Sequence, residues 1–110
     1  MAYDERLADE LRERLVAEEV FFEEKRMFGG LAFLVEGNLT IAASRQGGLL
    51  VRTDPDEADE VLELPGVSPM APAGRRMPGW VFVDAAALDS ETIDAWLGRA
   101  LAFVETLPPK

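Results

Sequence analysis

Hydrophobic and polar positions change their period several times along the chain, and each change marks an element. From Asp4 to about Ala17, Tyr3, Leu7, Leu11 and Leu15 recur every fourth residue with Ala8 beside them, under an outer face of acids and arginines. That is the narrow stripe of an amphipathic helix. Arg6 with Glu10 and Glu10 with Arg14 add i,i+4 pairs worth only about 0.2–0.5 kcal/mol each, so packing must hold this helix in place.

Beyond a greasy link, Val20-Phe21-Phe22, the charged stretch Glu23-Glu24-Lys25-Arg26 leads into Met27-Phe28-Gly29-Gly30. Leu31 to Val35 is then a short unbroken apolar run, bounded by Gly30 and by Glu36-Gly37-Asn38. Its length and flanking glycines predict a strand buried on both faces. Gly37-Asn38 is a two-residue connector of the type II′ kind. Leu39 to Ser44 alternates, with Leu39, Ile41 and Ala43 on one side and Thr40, Ala42 and Ser44 on the other. Gln46-Gly47-Gly48 turns the chain into a third strand, Leu49 to Thr53, and the three make an antiparallel meander. Glycine weakens a strand unless there is a bulge, a bend or a close backbone approach. Gly29-Gly30 therefore reads first as a bend that lets the strand wrap a helix. The alternative is that its amides face a ligand anion, although no Lys-Ser/Thr follows as in a phosphate loop.

A second helix starts at Asp54, a good N-cap, with Pro55 at the first helical position and Glu57 at capping-box spacing. Ala58, Val61 and Leu62 form its apolar face, and Leu64-Pro65-Gly66 stops it. Val67 to Met77 is rich in proline and glycine. A short strand near Met70 pairs, across the loop bearing Arg75 and Arg76, with the strand Trp80-Val81-Phe82-Val83. The last helix is capped by Asp89, and Leu88 with Ile93 has the spacing of a hydrophobic staple. Ile93, Trp96, Leu97, Ala100, Leu101 and Val104 give it a broad apolar face, and Pro108-Pro109 ends it. Gly98 costs such a helix about 1 kcal/mol relative to alanine, which predicts close approach of another element there. The element order is α-β3-α-β2-α, an α+β fold with an antiparallel sheet packed against helices.

Composition sharpens this picture mostly by exclusion. The 110 residues are 48% hydrophobic, the size and composition of one globular domain, taken as 1–110. There is no cysteine, so disulfides, thiolate metal sites and cysteine nucleophiles are excluded. Histidine is absent too, which removes the commonest general base and metal ligand. The carboxylates from Asp54 to Glu63 have no calcium-loop spacing, and no cofactor or metal is expected. No signal peptide and no membrane-length apolar run are present, so a cytoplasmic protein is expected.

The net charge is −10, a sign that repels a phosphate backbone at long range. The charge is uneven, however. Lys25, Arg26, Arg45 and Arg52 face only Glu36 within 25–53, and Arg75-Arg76 stand in a stretch without acids. These six form a candidate anion or interaction patch, with Arg75 and Arg76 beside Trp80 able to fork onto a carboxylate. A solvated surface is the plainer reading of the same residues.

Arg26-Met27-Phe28-Gly29-Gly30, the onward Leu-Ala-Phe-Leu-Val-Glu-Gly-Asn and the later Gly79-Trp80-Val81-Phe82-Val83 resemble the N-terminal domain of TfoX/Sxy competence regulators. Met27, Phe28, Gly29, Gly30, Gly37 and Trp80 carry that structural signature, and the likeness spans nearly the whole chain. The resemblance implies a secretion-chaperone-like α+β arrangement, shared with YjbR-like proteins. It also implies a role beside transcription activators of DNA-uptake genes. It supplies no catalytic residues, and the C-terminal helical domain of the best-known members is not expected here.

Three functions follow as expectations. The first is a non-enzymatic regulatory module acting through a protein partner, such as the transcription machinery, or through a homodimer that buries a bare sheet face. The second is direct nucleic-acid binding through the six cations. The third is a small enzyme using Lys25, the sole lysine before the C-terminus, whose ordinary reading is a surface strand lysine.

Overall fold

A computed structural model describes residues 3–27, 29–70 and 77–109. Helix α1 spans Glu5–Ala17 because the Asp4 carboxylate accepts from the backbone N–H groups of Arg6 and Leu7, satisfying donors a helix start leaves orphaned. Its stripe of Leu7, Ala8, Leu11 and Leu15 is buried, as the four-residue spacing predicts.

The sheet has six strands in the order β1-β2-β3-β4-β6-β5, and every neighbouring pair is antiparallel. They are β1 Glu23–Met27, β2 Gly30–Val35, β3 Asn38–Ala43, β4 Leu49–Arg52, β5 Val67–Pro69 and β6 Trp80–Val83. The α+β class and the meander stand, with one strand more than the hydrophobic pattern reveals. Glu23–Met27 was expected as a lead-in; it pairs with β2 from Glu23↔Leu34 to Met27↔Gly30. Its four charged residues hide it from an apolar pattern and suit an edge strand, since charge discourages further pairing there.

Gly29, at φ +78°, lies in the turn between β1 and β2, and not within one bent strand. At Gly30 a side chain would land on the carbonyl oxygen of Ala43 in β3. Close backbone approach is therefore the reason for the second glycine.

Two further details differ from the sequence expectation. The β2–β3 hairpin turns on Glu36 and Gly37, at φ 52° and 81°, the paired positive angles of a type I′ turn. Asn38 is instead the first residue of β3, paired with Val35 and buried, its amide donating to the carbonyl of Pro108 at 3.1 Å. The second detail is a bulge. Phe33 pairs with Ile41 but Leu34 pairs with Leu39, which leaves Thr40 as the extra residue. Leu39 consequently points to the opposite face from Ile41 and Ala43.

After β4, Asp54 accepts from the Asp56 N–H and starts a 3-10 turn, Pro55–Glu57, that runs into the short helix α2, Ala58–Leu62. The expected capping box does not close, because the Glu57 carboxylate pairs with Arg99 at 3.1 Å. Helix α3 spans Ser90–Val104 behind a complete capping box between Asp89 and Thr92. Backbone and side-chain bonds from Thr92 hold the Asp89 carboxyl below its usual range. Gly98 meets nothing within 4 Å of where its Cβ would stand, so none of the described elements crosses α3 there.

One core joins the helices to one side of the sheet. Phe33, Ile41, Leu49, Val51, Val81 and Val83 from the strands meet Leu11 and Leu15 of α1, Val61 of α2, and Trp96, Leu97 and Ala100 of α3.

Candidate functional site

The register assigns the other side of the sheet residue by residue. Directly opposed residues of an antiparallel pair share a face, so Ala32, Ala42, Leu50 and Phe82 form one row across β2, β3, β4 and β6. Leu34 with Leu39 and Arg52 with Trp80 lie beside it. Ala32, Ala42 and Leu50 form a separate buried cluster, fenced by the half-buried Met27, Leu34, Leu39, Met70, Trp80 and Phe82. A recess of about 140 Å3 opens among Met27, Leu39, Leu50, Met70 and Phe82. None of the described helices belongs to this cluster.

The four cations of the expected patch that are described do not converge. Lys25 opposes Ala32 and shares the face away from the helices, whereas Arg26 opposes Leu31 and shares the helical face. Arg45 follows β3 at the end of the sheet near the β1–β2 turn, its stem over Gly29. Arg52 lies at the opposite end, three residues beyond Leu49, or about 10 Å along the strand. Arg75 and Arg76, with Phe28 of the signature, lie outside the described residues.

Arg52 has the most specific surroundings of these. Its guanidinium sits 4.9 Å from the Trp80 ring centroid and 5.5 Å from that of Phe103 on α3, a double cation–π stack. Desolvation between those rings pulls its pKa below the ordinary arginine value. No carboxylate of the described residues reaches it as an ion pair.

On the helical face the charges are paired. The Arg12 guanidinium forks onto Glu24 of β1 at 2.6 and 2.7 Å. That side-chain bond holds the Glu24 carboxyl below its usual range and raises Arg12 in turn. The clasp ties edge strand β1 to α1. Arg14 reaches Asp94 and Ser90 of α3, joining the two long helices.

Lys25 is exposed and lines none of the described cavities, so it lacks the burial that would make it a nucleophile. Among the described residues no three carboxylates gather to hold a metal ion. No described helix is long and apolar enough to cross a membrane.

The sequence hinted at the face away from the helices through the doubly apolar run Leu31–Val35. It did not expose the membership of Leu39, which depends on the bulge, nor that of Met27, which depends on β1 being a strand.

No curated protein and no solved structure is significantly similar to the chain. Comparison with protein families matches residues 14–104 to the TfoX N-terminal domain, a span running from α1 through the whole sheet to the end of α3. The chain belongs to the TfoX N-terminal domain family.

Proposed function

We propose that this domain is a non-enzymatic regulatory module that works by protein contact, with the partner docking on the sheet face away from the helices. One observation carries the reading: the sheet is apolar on both sides, and the described helices pack on only one. A sheet of that kind gains by burying its second face. Membership of the TfoX N-terminal domain family supports a competence-regulator-like context, with the transcription machinery as the place to look for the partner. Lys25 and Arg52 at the border favour a partner whose apolar patch is edged with carboxylates, since two copies laid face to face would oppose like charges. Direct nucleic-acid contact is the weaker reading, because Lys25, Arg45 and Arg52 are dispersed and the chain carries net −10.

Affinity capture from extracts of the source cell, using three baits, tests the proposal. Val16→Lys changes an exposed residue of α1, 63% accessible, and should retain the proteins held by the parent. Phe82→Lys changes the face away from the helices and should lose them while keeping its helical circular dichroism. Equal capture by all three baits defeats the reading, as does a parent that holds nothing. Co-sedimentation then separates a foreign partner from a second copy.

A further inference from the structure

The two edges of the sheet are finished differently. On one side the last strand is β5, three residues that end on Pro69, and proline blunts an edge because it lacks an N–H to offer. On the other side β1 has five residues, no proline, and a paired neighbour only in β2. Glu23 to Arg26 are all exposed, and no described strand meets the outward row of backbone groups. The charges discourage pairing with strands in general. Against a second copy of the same strand, their order gives a different result.

Two copies continue one antiparallel sheet edge to edge only about a two-fold axis perpendicular to it. Such an axis keeps each face on its own side, so opposed residues come from the same face. Glu23, Lys25 and Met27 pair with Leu34, Ala32 and Gly30 and share the face away from the helices. Glu24 and Arg26 pair with Phe33 and Leu31 and share the helical face. Centred on Glu24, the axis sets Glu23 of each copy against Lys25 of the other. Glu24 then meets its own counterpart, and this single like pair is already neutralised, because Arg12 forks onto Glu24 at 2.6 and 2.7 Å. Centred on Lys25, the axis would oppose two lysines that have no ion-pair partner among the described residues.

The flanking residues fit the same register. Phe22 packs against Phe33 on the helical face, and Phe21 is 92% exposed, so the alternation of β1 runs back through both. Continued to them, the register lays Phe22 on Arg26 of the second copy, a cation–π pair. It lays Phe21 on Met27, which fences the apolar cluster. Among the described residues Phe21 is the most exposed large hydrophobic side chain, and this contact covers it.

We propose that a second copy of this chain pairs with β1 edge to edge, about a two-fold axis at Glu24, joining two six-stranded sheets into one. The apolar faces of both copies then lie bare on the same side, so the inference does not depend on the partner proposed for that face.

Sedimentation velocity of the full chain over a concentration series tests the pairing. The parent should pass from monomer to dimer as concentration rises. Glu23→Lys and Lys25→Glu each turn both Glu23–Lys25 contacts into like pairs, and each should weaken the dimer about tenfold or more. The first also reduces the net negative charge of the chain, so general repulsion alone would strengthen association. Both positions are exposed, and the variants should melt like the parent. An equimolar mixture of the two restores opposite charges at both contacts and should recover the dimer, as should the double variant in one chain. Phe82→Lys, on the sheet face, should associate like the parent. A parent that stays monomeric throughout the series overturns the proposal. So do single variants that associate like the parent, a mixture that stays monomeric, or a dimer lost in Phe82→Lys.

Discussion

The two faces of the sheet are built from the same strands yet meet different surroundings. On β2, Phe33 is fully buried against α1 and tilted against Phe22, their ring centroids 5.8 Å apart. Its neighbour Leu34 faces the other way and is only half-buried. On β6 the same contrast separates Val81, 2% exposed, from Phe82. The helical face is closed by long side chains from three helices. The other face centres on two alanines and a leucine inside a ring of larger, half-exposed residues. Alternation along a strand thus turns one face to the helices and the other away from them.

The contrast predicts unequal costs. Phe33→Ala should lose about 3–5 kcal/mol, the range for emptying a packed aromatic site, measured by urea unfolding. Leu34→Ala, one residue away, should cost about 1 kcal/mol, because a half-buried leucine has less transfer energy to lose. Equal losses at the two positions would mean that both faces are core. Gly98→Ala should raise stability by about 0.5–1 kcal/mol, since the site is open, helical and without close neighbours. A melting point that falls instead would place an unseen contact against α3.

The smallest effect sharpens how the edge of the sheet is held. Glu24 has its folded pKa depressed by Arg12, so its contribution is complete above the unfolded value of about 4.3. That contribution is lost as pH falls through the lower folded value. Glu24→Gln should therefore unfold more readily than the parent at neutral pH and match it in acid, with a difference below about 1 kcal/mol for so exposed a pair. A gap that persists below pH 3 would assign the stabilisation to packing and not to charge.

Local signals in the sequence were the most legible. Asp4, Asp54 and Asp89 each start a helix or turn as their side-chain chemistry dictates, because capping needs only residues two or three positions away. The doubly apolar strand and the order of elements were legible for the same reason, and with them the family. Features set by distant contacts were not. Edge strand β1 is charged because it borders solvent and Arg12, and nothing within Glu23–Met27 says so. The bulge at Thr40 is a shift of register against β2, and it alone carries Leu39 to the face away from the helices. Gly98 reads as a point of close packing because glycine in a helix usually needs a reason, and the described residues around it supply none. The dispersal of Lys25, Arg26, Arg45 and Arg52 was equally invisible, since charge counted along a chain carries no face.

The most direct test sets Val81→Lys beside Phe82→Lys, adjacent on one strand and opposite in face. Thermal melting and partner capture are read on the same preparations. A lysine at Val81 buries an unpaired charge against the helices and should abolish cooperative folding. A lysine at Phe82 should leave a cooperative melt and abolish capture. If Phe82→Lys unfolds the chain as Val81→Lys does, or folds and still captures the same proteins, the face away from the helices is not the docking surface.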